Sequence, residues 1–242
     1  MTEAEWWGAT GRRQWPDPLL HRSFWAGASD RKMRLASVAC CRPLEQFAGG
    51  DPFLNLLEWI EALADGRDKE RARDAITSAE TWFYARWGTL HHRAEELTDA
   101  ERLEEEAEDA IICAGAEYRD REWHYTRKNY PYPCFVADHV TAAFDLLGQL
   151  EVGERHIVRV VHDIFGPLPF RGVAVAPGWL TSDVTGLAKV IYDAKAFDRM
   201  PVLADALQDA GCTNDELLAH CRARDWEHVR GCWVLDLLLG KA

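Results

Sequence analysis

The chain lacks any apolar run approaching the roughly 20 residues that a helical membrane span needs, which sets that class aside. It also lacks positive charge in excess: 28 Lys and Arg stand against 40 Asp and Glu, a formal net charge of −12. Nonspecific binding to nucleic acid or to an anionic membrane depends on positive potential, so neither is expected. The opening MTEAEWWGAT has no basic-then-apolar order of a signal peptide, and the expected location is cytoplasmic. No P-loop, G-x-G-x-x-G, G-x-S-x-G or H-E-x-x-H is present, which removes the enzyme classes with local motifs. Enzymes whose groups meet only in the fold stay open, and no catalytic residue is assigned. There is no C-x-x-C and no repeat with a fixed period of 20–50 residues. Strict apolar–polar alternation is nearly absent, so a sheet has no strands from which to form.

What is there is helical. The apolar period stays close to 3.6 along almost all of the 242 residues, and 48% hydrophobic content with 11 Trp supplies one large core or two modest ones. The expected fold is an all-α multi-helix bundle with at most one short extended or strand segment, near 172–175. Ser29-Asp30, Asp51-Pro52 and the capping box of Thr98 and Glu101 mark helix starts, while Gly66, Gly88 and Gly148 mark ends. The acidic stretch Glu104 to Asp109 reads as a solvated helix face. Four further helices are expected over 182–197, 198–210, 213–222 and 228–239. Two prolines in Tyr130-Pro131-Tyr132-Pro133 break the pattern, giving an N-terminal helical part (1–117), a connecting segment (118–133) and a C-terminal helical part (134–242), unless all form one continuous domain.

The opening MTEAEW, the stretch ASDRKMRLASVACCR from Ala28 to Arg42, and the ending AFDRMPVLADALQDAGCTNDELLAHCR…HVRGCWVLDLLLGK resemble a family of uncharacterised bacterial proteins abundant in planctomycetes. The C-terminal likeness is long and specific; the middle, from about Glu45 to Asp163, is hardly covered. Where that family has a Gly-Pro-rich turn before HVRGCW, this chain has RARDWE from Arg222 to Glu227. Members sometimes accompany leucine-rich-repeat-like modules, so the resemblance implies a bacterial, cytosolic protein with an interaction role. It brings no ligand or catalytic residue.

Seven Cys in a chain without an export signal point to reduced thiols or metal ligands rather than a disulfide framework. Cys212, His220, Cys221, His228 and Cys232 crowd the last helices. Thiolate and imidazole suit zinc, and His228 and Cys232, four apart, would point the same way on a helix. The same residues also read as core packing, with Cys232 a small hydrophobe beside Trp233 and Leu235. His139 stands on an apolar helix face near Asp138 and Asp145, either as a general base or as a satisfied core residue. Arg159 and Asp163 can pair as helix neighbours. His91-His92 with Glu95 would suit a loop metal site, or the dipole of a helix end.

The segment holding Tyr118, Arg121, Trp123, Tyr125, Arg127 and Tyr130 interleaves rings with cations. That composition serves base stacking or a protein-binding surface, and the acidic remainder of the chain favours protein. The leading expectation is a non-enzymatic cytosolic interaction or scaffold module with this segment as its partner surface and no cofactor. The alternative is a metal-binding protein or metal-dependent hydrolase with zinc at the C-terminal Cys/His cluster. A Trp- and Tyr-lined small-molecule pocket between the two halves is the third.

Overall fold

The structure, a computed structural model, describes residues 2–11, 28–87, 97–115, 132–223 and 227–241, with the side chains of 132–135 outside that description. The aromatic, Arg-rich residues from Tyr118 to Tyr130 and the His91-His92 pair with Glu95 also lie outside it. Among the described residues every regular element is helical and none is a strand. The all-α expectation holds, and 171–176 has neither helix nor strand before a one-turn 3-10 segment at Pro177–Trp179. No described helix is long and apolar enough to cross a membrane.

The chain divides into two compact units, 3–158 and 159–242. The first holds α1 (Glu3–Gly8), α2 (Asp30–Cys41), α3 (Leu56–Ala64), α4 (Lys69–Trp87), α5 (Asp99–Gly115) and α6 (Tyr132–Leu146). The division falls within α7 (Leu150–Phe165). Helix α6 packs on α5 and α2 and so belongs to the first core.

Helix α2 is the centre of that unit. Ser29 caps it by accepting from the Lys32 backbone N–H at 3.2 Å, and seven consecutive residues, Leu35 to Cys41, are buried. A helix buried all round is a core helix, and its Ala, Ser and Cys side chains let α3, α5 and α6 approach closely. Pro43 falls in the 3-10 turn Arg42–Leu44 that ends it. The helix expected from Asp51-Pro52 starts later: Asp51–Phe53 is a single 3-10 turn, and Asn55, at φ 60°, interrupts before α3. The Thr98–Glu101 capping box is made reciprocally, with Thr98 N–H donating to Glu101 Oε2 at 2.8 Å and Glu101 N–H donating to Thr98 Oγ1 at 3.3 Å.

The acidic run of α5 is not a plain solvated face. Glu104 takes a bidentate pair from Arg86 at 2.6 and 2.7 Å. Glu108 is fully buried and accepts from Trp87 Nε1 at 2.6 Å and from the Gly49 backbone N–H at 3.0 Å. Burial, helped by Glu104, pushes its carboxyl from 4.5 up to about 7, against the two donors and Arg86.

The second unit continues through α8 (Ser182–Ala194), α9 (Met200–Asp209), α10 (Asp215–Arg222) and α11 (Trp233–Leu239). Thr181 and Asn214 cap α8 and α10 by accepting from Val184 and Leu217 N–H at 3.3 and 3.1 Å. One apolar cluster joins Val184, Ile191 and Tyr192 of α8 to Leu203 and Leu207 of α9, Leu217 of α10, and Trp233, Leu235 and Leu238 of α11.

A carboxyl whose folded pKa is raised stabilises most below its unfolded value, and that stability is lost as pH rises through the folded one. Wild-type stability against urea should therefore fall between pH 4.5 and about 7 by a slope that Glu108→Leu removes, although the variant is less stable overall. Equal slopes in the two proteins would rule this out.

Candidate metal centre

Four polar side chains of the second unit converge: Asp163, His220, His228 and Cys232 each offer a donor atom, all within 4.8 Å of one another. Asp163 comes from the last turn of α7, inside the apolar run VVHDIF, and has no exposed surface. His220 comes from the last turn of α10, whose Leu217, Leu218 and Cys221 face the core. His228 lies in non-helical chain, and Cys232 is the residue that caps α11.

The helix expected from His228 thus begins only at Trp233. Gly231 adopts φ 94°, a left-handed conformation that glycine takes without steric cost, and Cys232 leaves the helical region at φ −43°, ψ 128°. His228 and Cys232 meet through this turn, closed by Cys232 N–H donating to the Val229 carbonyl at 3.0 Å, and not through helical spacing.

Asp163 organises the group. Its Oδ1 accepts from His228 Nδ1 at 2.7 Å and lies 3.1 Å from His220 Nε2, while Oδ2 accepts from the Val229 N–H at 2.9 Å. Cys232 Sγ is 3.3 Å from His220 Nε2 and 3.9 Å from His228 Nδ1. The two imidazoles meet edge to face at 4.9 Å, and Trp233 packs on His220 at 5.1 Å. Gly166, at φ 50°, makes room behind them, since a Cβ there would stand 2.6 Å from the Trp233 ring.

Burial alone would raise the Asp163 carboxyl, but the hydrogen bonds and charges of His220 and His228 outweigh it and hold it at about 2. The same anion adds to burial in pushing the Cys232 thiol far up, and the Cys221 thiol up to about 12. A dication among the donors would reverse the effect on Cys232, because a coordinating thiol is deprotonated outright.

Zinc–ligand lengths of about 2.0–2.3 Å set neighbouring donors about 3.3–3.6 Å apart around a tetrahedron, and the separations here, 2.7, 3.1, 3.3 and 3.9 Å, bracket that edge. Of the five candidates read from sequence, His220, His228 and Cys232 belong to the group. Cys212 and Cys221 do not: both are buried in the apolar cluster with Leu207 and Leu217. Asp163 was not among the candidates, and the expected Arg159 partnership gives way, since Arg159 is exposed where Asp163 turns inward. A carboxylate embedded in VVHDIF was the available signal.

A cleft of about 600 Å³ adjoins the group, lined by Phe197, Asp198, Pro201, Cys221, Ala223, Glu227 and His228. It holds neither Trp nor Tyr among these residues. His228 borders both cleft and donor set, and its Nε2 is buried without a hydrogen-bond partner.

No protein-family model matches the chain, and no curated protein and no solved structure matches it either.

Asp163→Ala removes the acceptor that serves two imidazoles and a backbone N–H, and should cost about 3–5 kcal/mol of unfolding free energy in urea. Asp163→Asn keeps an acceptor oxygen and should cost less. The depressed carboxyl works in the opposite sense to Glu108: its stabilisation is full above the ordinary 3.8 and is lost as pH falls through about 2.

Proposed function

We propose that the 159–242 unit is a metal-holding module in which Asp163, His220, His228 and Cys232 bind one divalent ion, zinc before others. The observation that carries this reading is the convergence of one donor atom from each of four side chains within 4.8 Å. The chemistry agrees: imidazole and thiolate with a single carboxylate form a borderline-soft set suited to zinc rather than to calcium or magnesium.

The set supports a structural ion rather than a hydrolytic one. Four protein donors fill a tetrahedron, whereas a catalytic zinc keeps one position for water or substrate. The side chains of Asp163, His228 and His220 are only 0, 4 and 8% exposed. Held between α7, α10 and the turn before α11, the ion would join three parts of the chain that no disulfide joins. The acidic Asp198 and Glu227 on the cleft beside His228 favour a cation's approach.

On this reading the protein is a non-enzymatic module that a metal stiffens. The six described cysteines are unbridged, which supports a reducing, cytoplasmic setting. A protein partner remains the reading of the aromatic, Arg-rich residues 118–130, on composition alone.

Native mass spectrometry and elemental analysis of protein purified without chelator or affinity metal test the assignment. One zinc per chain should be bound at this site, kept in Cys212→Ala and Cys221→Ala and lost in His228→Ala with Cys232→Ala. Chelation should lower the melting temperature of wild type and not of the double variant. Zinc-free protein whose melting temperature ignores both zinc and chelator would refute the proposal.

A further inference from the structure

The first unit carries an independent cluster. Asp109 and Cys113 stand four apart on α5 and so share a face, and His139 projects from α6, which packs against it. One donor atom from each lies within 4.8 Å of the others. His139 Nε2 is 3.2 Å from Asp109 Oδ2, and Cys113 Sγ is 3.7 Å from Asp109 Oδ1. The other ring nitrogen, Nδ1, is 2.7 Å from Glu106 Oε2.

From this we infer a second, exchangeable divalent-metal site, with Asp109, Cys113 and His139 as ligands and Glu106 as the positioning residue that orients the imidazole. A ligand histidine nearly always gives its second N–H to a carboxylate or carbonyl, which fixes the tautomer and raises the basicity of the ligating nitrogen. Glu106 stands where that role requires. It accepts a hydrogen bond from Nδ1 and leaves Nε2 to face Asp109.

The site differs from the C-terminal one in two respects. It has three protein donors, so the fourth position of a tetrahedral ion falls to water or an added ligand. Its side chains are also more open, with Asp109 20% and His139 16% exposed. A three-donor, partly exposed set exchanges its ion where a buried four-donor set retains it. With its borderline-soft thiolate and imidazole it takes zinc, or cobalt(II) as a spectroscopic substitute.

Without an ion, Nδ1 and Nε2 of His139 each face a carboxylate, that of Glu106 and that of Asp109. Metal entry displaces the Cys113 thiol proton, which leaves to solvent. The bonds formed are metal–N, metal–S and metal–O, with no change of oxidation state. Uptake should therefore release protons, measurable as a buffer-dependent heat.

The test is cobalt(II) titration of the chelator-treated full-length chain, followed by thiolate-to-metal charge-transfer absorption and by calorimetry in two buffers. Wild type should take two ions. Cys113→Ser and Asp109→Asn should each take one, with unchanged helical circular dichroism, and Glu106→Gln should weaken the second ion about 10- to 100-fold. Identical stoichiometry in wild type and Cys113→Ser, or no effect of Glu106→Gln, would overturn the inference and leave His139 as an ion-free clamp. Failure of the C-terminal site alone reads differently: one ion in wild type and none in Cys113→Ser.

Discussion

A carboxylate with no exposed surface constrains everything around Asp163. Left alone in an apolar interior, an ionised group is costly enough that it neutralises by taking up a proton. Here it stays ionised because two imidazoles and one backbone N–H are aimed at it from α10 and from the chain before α11. That requirement explains local features that apolar packing leaves arbitrary. The chain between His228 and Cys232 cannot be helical, since the Val229 N–H must reach Asp163 while Gly231 turns the backbone into α11. Gly166 must lack a side chain because Trp233 lies over its Cα and against His220.

The first unit obeys the same rule with a different outcome. Helix α5 spends its acidic residues in two directions: Glu104 and Glu108 toward Arg86, Trp87 and Gly49, and Glu106 and Asp109 toward His139. Where Asp163 receives enough donors to keep its carboxyl low, Glu108 does not. Two N–H donors and an Arg86 nitrogen 4.0 Å away leave desolvation dominant. Two buried carboxylates of one chain are thus displaced in opposite directions, and the number and closeness of cationic or N–H partners decide which way.

Much of the helical layout was legible because it is written locally. Ser29 and Thr98 accept N-terminal N–H bonds from three residues on, and Gly66 and Gly148 take left-handed φ at helix ends. The site was only partly legible, since its parts are far apart in the chain. Periodicity tells which side of α7 Asp163 occupies, but not that His228, 65 positions away, arrives there. Arg159, one turn earlier, was the local partner on offer, and long-range packing replaced it. The reverse error concerns Cys212 and Cys221. They have the composition of ligands and the burial of core residues, and only the direction of each side chain separates the two. The acidic run of α5 misled for a related reason, because a helix rich in Glu looks solvated until an Arg and a Trp from α4 are placed beside it.

Charge balance gives the case for a metal in the second unit its physical basis. Asp163 as an anion and Cys232 as a thiolate carry two negative charges, the imidazoles of His220 and His228 are neutral as ligands, and a dication brings the sum to zero. A site that is almost wholly buried is the place where such neutrality matters most, since any residual charge there meets the full desolvation cost. Without the ion, the thiol must keep its proton beside a carboxylate that already raises its pKa. The unit is small, roughly 80 residues, a size at which a structural metal adds materially to what one apolar core supplies. At the second cluster the same sum, with Asp109 and Cys113 as anions and His139 neutral, also reaches zero, but Glu106 adds one further negative charge. That surplus is tolerable only where solvent reaches the site, so the more open of the two clusters is the one whose carboxylates outnumber its need.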